Sequence, residues 1–175
     1  MSTYEHGRFT ELTDLLCQLF PVGSDQLLAI WREGDQTAQS PLDKQFSHAP
    51  SGSRLIAILL AMPQTSGTLP GLAAELPDTP AQQYAIPFYF MERWAAARGA
   101  VFPLLRREAL LNYGRSKIDP WCTTVQAGTV TQPTWGILHD ARITATDIDA
   151  TSPLTKHGWL TAALTVTVTL TQRRT

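Results

Sequence analysis

Four groups of residues have types and spacings that could do chemistry. His139-Asp140, with Asp147 and Asp149 downstream, gathers a histidine and carboxylates of the kind that hold a divalent cation. Adjacent residues of an extended segment point to opposite faces, so His139 and Asp140 are poorly placed to share one metal. Among its apolar neighbours His139 reads instead as a hydrogen-bonded core or interface histidine. His48 precedes Ser51-Gly52-Ser53-Arg54, an order that an anion loop or a nucleophile with its base would use, but Ser-Gly pairs are also ordinary turn residues. Arg106, Arg107, Arg115 and Lys117 lie near Tyr113 and Trp121, combining phosphate-neutralising cations with rings that stack on bases. Glu108 and Asp119 oppose them, which suits a solvated surface or ion pairs between proteins. Cys17 and Cys122, far apart and outside any metal-ligand spacing, read as reduced buried thiols.

No Gly-x-Gly-x-x-Gly, Walker loop, His-Glu-x-x-His or Gly-x-Ser-x-Gly occurs, so no catalytic residue, cofactor or metal is expected. Fourteen Lys and Arg against fifteen Asp and Glu give a formal charge of -1, leaving no broad field to collect nucleic acid or an anionic membrane. The opening residues are polar, unlike a secretory signal, and no stretch approaches the ~20 apolar residues that span a bilayer. A hydrophobic fraction of 43% and a charged fraction of 17% over 175 residues describe one folded domain with its own core.

The elements that must position these residues follow from periodicity. Phe9, Leu12, Leu15, Leu16, Leu19 and Phe20 recur three and four apart, which predicts an amphipathic helix over residues 9–20, stopped by Pro21 and Gly23. Residues 27–31 read as a short strand before a turn, and residues 36–43 as an exposed loop. Residues 54–62 are almost continuously apolar, a length that suits a strand buried on both faces or a helix. The Pro- and Gly-rich residues 64–80 predict a surface excursion within the single domain 1–175.

Pro87 at a first turn, Phe88, Met91, Trp94 and Ala95 on one side, and Gly99 as C-cap predict a helix over residues 88–98. Residues 101–105 and 109–113 read as a strand or hairpin, and residues 121–125 and 126–130 as short extended pieces. From Trp135 the apolar residues alternate as in a strand, with a bulge or end near Thr146, and residues 149–158 form a long hairpin loop. Ala162, Leu164, Val166, Val168 and Leu170 alternate with threonines in the clearest strand of the chain. Being β-branched and almost uncharged, that strand must be central to the sheet or covered by another chain. The five tryptophans, at 31, 94, 121, 135 and 159, read as core and interface anchors.

The stretch from Met91 to Thr171 resembles proteins of phage tails, notably the tail-protein U family of contractile-tailed temperate phages and related baseplate components. The resemblance lies in Trp94-Ala95-Ala96-Ala97-Arg98-Gly99, Phe102-Pro103-Leu104-Leu105, Tyr113-Gly114, Trp135-Gly136-Ile137, an acidic linker and a closing strand from Leu164 to Leu170. It implies a β-rich assembly protein of the virion, made in the host cytoplasm, joining copies of itself and neighbouring tail or baseplate proteins without turnover.

The expected fold is α+β: an antiparallel sheet or partly open barrel with two main helices, residues 9–20 and 88–98, and a long C-terminal strand. The candidate assembly interface is Thr165, Thr167, Thr169, Arg106 and Arg107. No small-molecule substrate, nucleic acid or membrane is expected as a partner. Two other classes are an enzyme or ligand-binding domain with a pocket drawn from His139, Arg142 or Tyr113, and a nucleic-acid adaptor at a head-tail junction using Arg106, Arg107, Arg115 and Lys117.

Overall fold

The structure, a computed structural model, describes residues 3–33, 45–59, 81–94, 103–150 and 158–172. In chain order its elements are α1 (Thr3–Cys17), β1 (Leu27–Arg32), β2 (Arg54–Ile58), β3 (Ala81–Arg93), α2 (Pro103–Gln126), β4 (Gly136–Asp147) and β5 (Trp159–Gln172). The expected loop at 36–43, the excursion at 64–80 and most of the 149–158 connection lie outside the described residues, as do residues 60–62 and 95–98.

The five strands form one sheet in the order β1-β2-β3-β5-β4. β1 runs parallel to β2 and the other three pairings are antiparallel, so the sheet is mixed rather than purely antiparallel, and it does not close into a barrel. The α+β class is as expected. β5 lies between β3 and β4, which removes the free edge that its composition could not tolerate. Its even-numbered residues Ala162, Leu164, Val166, Val168 and Leu170 are each at most 1% exposed.

The helix expected over residues 88–98 is a strand as far as Arg93. Residues 81–93 pair with β5 along their whole length, and Phe88, Phe90 and Glu92 point to one face while Tyr89 and Met91 point to the other. The three-residue spacing of Phe88 and Met91 fitted a helix, but long-range pairing with β5 overrides it and sets the two residues on opposite faces of the sheet. Pro87 is tolerated because its carbonyl accepts from the Leu59 amide just where β2 ends, so its missing N–H faces the end of that strand rather than its middle.

The second helix is α2, where strands and extended pieces were expected. Its buried residues Leu110, Leu111, Gly114, Ile118, Trp121, Cys122 and Val125 keep helical spacing. Gly114 and Pro120 obscure that stripe in sequence. A Cβ on Gly114 would lie 2.6 Å from Cζ of Phe90 and 3.1 Å from Cδ2 of Leu164, so glycine there lets the helix backbone approach the sheet. Pro120 sits inside the helix on its exposed side. Residues 54–58 are a strand, buried apart from Arg54 and paired on both sides.

Among the described residues the core lies between the sheet and the helices α1 and α2, which pack on one face of it. Leu12, Leu16 and Phe20 come from α1 and its C-terminal turn; the Phe20 ring lies 5.7 Å from Phe90, 5.8 Å from Tyr113 and 6.3 Å from Phe88. Glu11 ties α1 to the approach to β4, its carboxylate accepting the Thr134 amide at 2.6 Å and the Thr134 hydroxyl at 2.8 Å. A smaller cluster of Leu55, Ala57, Met91 and Trp159 covers part of the opposite face, with Trp31, Phe46 and Tyr89 packed against it. Among the described residues no helix is long and apolar enough to cross a membrane.

Cys122 is buried in this core, and burial with the nearby charges of Asp119 and Asp140 pushes its thiol up to about 11. Since the thiolate is the reactive form, native protein at neutral pH is expected to lose the half-buried Cys17 first to a thiol-modifying reagent. Cys122 should react at least about tenfold more slowly until denaturant is added. Mass spectrometry after timed alkylation measures both rates.

Candidate functional site

Among the described residues, one polar constellation lies on each side of the sheet. On the face away from the helices, odd-numbered residues of β3 and β5 meet even-numbered residues of β4 in a shallow depression of about 340 Å³ lined by Gln83, Ala85, Asp140, Arg142, Thr144, Thr167 and Thr169. The Arg142 guanidinium donates to Asp140, whose other oxygen accepts from Gln126 at 3.2 Å. Thr144 and Thr167 share a hydroxyl hydrogen bond of 2.9 Å, and Gln83 donates to Thr169 at 3.5 Å. His139 Nε2 lies 2.8 Å from the Thr171 hydroxyl. These groups pair locally across the face, in separate sets.

β4 owes this arrangement to two irregularities in its pairing, one between Leu138 and Asp140 and one between Ile143 and Ala145. Each inserts an extra residue, so the strand changes phase twice. A bulge or an end was expected near Thr146; the strand bulges at Thr144 and ends at Asp147.

On the helix side, at the end of the sheet where β2 begins and β3 ends, Glu92 is 1% exposed and meets two guanidinium groups. Arg54 Nε donates to it at 3.3 Å, and Arg106 reaches it from the first turns of α2. The Arg54 guanidinium also lies over the Tyr113 ring, 4.6 Å from its centre, and donates to the Asp25 carbonyl at 3.3 Å. Lys117, one turn beyond Tyr113 on α2, pairs with the Asp25 carboxylate at 3.3 Å. Asp25 and Gln26 both take left-handed backbone conformations, with φ of 52° and 62°, at a cost of about 1–3 kcal/mol each. The hydrogen bond from Arg54 to the Asp25 carbonyl and the ion pair from Lys117 hold that strained turn in place.

The buried Tyr113 hydroxyl has no hydrogen-bond partner among the described residues. Burial, and then the charge of Asp25, raise its pKa, while Arg54 works in the other direction. The folded state therefore favours the neutral phenol. Its contribution to stability is present below the ordinary tyrosine pKa of ~10 and is lost as the pH rises through the higher folded value. Tyr113→Phe keeps the ring beneath Arg54 and removes the unsatisfied donor. It is expected to leave stability at neutral pH unchanged or raised by up to ~1 kcal/mol, and to flatten the loss above pH ~10. Urea unfolding across that range measures both.

The residues singled out from sequence fall on both sides of the sheet. Thr165, Thr167 and Thr169 belong to the helix-free face, with Thr165 and Thr167 half-buried and Thr169 buried. Arg106 lies on the helix side against Glu92, and Arg107 pairs with Asp149 at 3.2 Å, so the five candidate interface residues do not form one patch. Among the four cations of the nucleic-acid reading, Arg106, Arg107 and Lys117 each face a carboxylate; Arg115 is exposed. His139 and Arg142 are on the helix-free face while Tyr113 is on the other, so the three do not converge on a pocket. Among the described residues no group of three or more His, Cys, Asp or Glu could hold a metal ion.

Sequence reading missed Glu92 as a centre of charge and Asp25 and Gln26 as a strained turn. The signal available for Glu92 was its position in an apolar strand, two residues after Phe90; nothing in the local sequence announced the two arginines. No protein-family model matches the sequence, and no curated protein is similar to it.

Proposed function

We propose that this chain is a structural subunit of a bacteriophage tail or baseplate, joining copies of itself in rings and contacting neighbouring tail proteins within the virion. The observation that carries the reading is the one-sided sheet. Among the described residues both helices pack on one face, and the other bears threonines, Gln83, Asp140 and Arg142 beside a 12-residue strand at the sheet edge. A hydrogen-bonding face beside a strand that, among the described residues, has no neighbour on its outer side suits contact by sheet packing or strand addition. The likeness of residues 91–171 to tail proteins points to the same kind of assembly.

Light scattering on the purified chain, alone and after incubation with lysate of its native source, tests the proposal. Discrete assemblies larger than a dimer, or co-purification with other tail proteins, are the expected results. A chain that stays monomeric or dimeric at all concentrations and retains no tail protein would overturn it.

A further inference from the structure

We infer that residues 142–147 of β4 form a two-fold contact, in which this stretch pairs antiparallel with the same stretch of a second copy of the chain. The inference rests on the reading that the chain joins copies of itself, and it names the surface and symmetry of one such contact.

β4 ends the sheet, and among the described residues no strand flanks its outer side. A strand in this position presents backbone donors and acceptors to a newcomer. Exposure is concentrated in the second half: Arg142, Thr144, Ala145, Thr146 and Asp147 are exposed and Ile143 is half-buried. Between the two charged ends the side chains are small or β-branched and uncharged, which lets another backbone come within pairing distance.

The order of charges makes the stretch complementary to itself. An antiparallel copy centred between residues 144 and 145 sets Arg142 opposite Asp147 of the second copy, Ile143 opposite Thr146 and Thr144 opposite Ala145. Two-fold symmetry then repeats each pairing, as a self-complementary contact requires. Charges on an edge strand usually deter pairing, but here reversal brings plus onto minus at both ends.

The faces agree as well, and the bulge is the reason. Directly opposed residues must share a face, whereas residues five apart in a regular strand lie on opposite faces. The extra residue at Thr144 corrects this. Arg142 is registered with Thr167, Ala145 with Thr165 and Asp147 with Ala163, and the Thr144 hydroxyl meets that of Thr167, so all four belong to the helix-free face. Ile143 and Thr146, registered with Val166 and Leu164, belong to the helix side. The pattern of faces therefore reads the same in both directions, matching the charges.

Sedimentation equilibrium of the full chain, from micromolar to near-millimolar concentration, tests the contact. The wild type is expected to show a dimerisation step that weakens with salt. Arg142→Asp alone, and Asp147→Arg alone, should each weaken it at least about tenfold, because two attractive pairs become repulsive. The combined exchange, Arg142→Asp with Asp147→Arg, should restore it. That exchange does not restore the pairing of Arg142 with Asp140, so recovery reports the contact between copies. Both positions are exposed, and unchanged circular dichroism and Tm establish that the variants are folded.

Absence of a dimerisation step overturns the inference. Self-association that is indifferent to the single charge reversals also overturns it, while leaving assembly through another surface intact. A charge-sensitive dimer that neither grows further nor retains tail proteins supports the inference and counts against the proposed tail function.

Discussion

Glu92→Gln is expected to destabilise the protein by about 3–5 kcal/mol, the usual result of removing one partner from a buried ion pair. The substitution keeps the shape of the side chain and deletes the charge between Arg54 and Arg106. Two guanidinium groups would then face each other across a neutral amide at the end of the sheet. At ~2–4 °C per kcal/mol for a chain of this size, the Tm should fall by roughly 10 °C. Arg106→Ala should cost less, because the Arg106 side chain is 40% exposed and Arg54 remains beside Glu92. Denaturant unfolding of both variants gives the comparison. A Glu92→Gln protein within ~1 kcal/mol of wild type would mean that water reaches the cluster and screens it.

The second large effect concerns the contact of α2 with the sheet. Gly114→Val is expected to cost about 3 kcal/mol, since overpacking a closed core takes about 1–3 kcal/mol and valine adds two methyl groups beyond a Cβ that already collides. The Phe90 ring cannot turn aside easily, because Phe20, Phe88 and Tyr113 surround it at centroid distances of 5.7 to 6.2 Å. Phe90→Ala alone should cost about 3–5 kcal/mol through the cavity it leaves. In that background Gly114→Val fills part of the cavity and should lose at least half of its penalty. A double-mutant cycle measures the coupling, and additive effects would show that the helix, rather than the ring, yields to the larger side chain.

Both predictions concern residues whose importance is invisible locally. Glu92 follows Phe90 and Met91 in a strand, and only the meeting of β2, β3 and α2 supplies its two cations. Gly114 in isolation weakens a helix by about 1 kcal/mol relative to alanine, which is one reason that residues 103–126 read as broken pieces. The same holds for residues 88–93, whose spacing fits a helix until β5 pairs along the full length of β3.

The strands best read in advance were those with one-sided chemistry. Hydrophobic alternation along β5 specifies which residues enter the core whatever the neighbours are, because a strand has a period of two and its burial is a property of the side chains themselves. The helical stripe of Phe9, Leu12, Leu16 and Phe20 was legible for the same reason, as were the α+β class and the need for β5 to be covered, by the sheet or by another chain. These were determined by the sequence alone; the sheet order decided between the two ways of covering β5.

Tertiary structure decided the rest. The parallel pairing of β1 with β2, the strand at residues 88–93 and the helix at 103–126 depend on partners distant in the chain. So does the separation of Arg106 and Arg107 from the threonine face. Backbone pairing and ion pairing reward proximity in space, and proximity between residues such as Arg54, Glu92 and Arg106 comes into being only when the sheet and helix close around them.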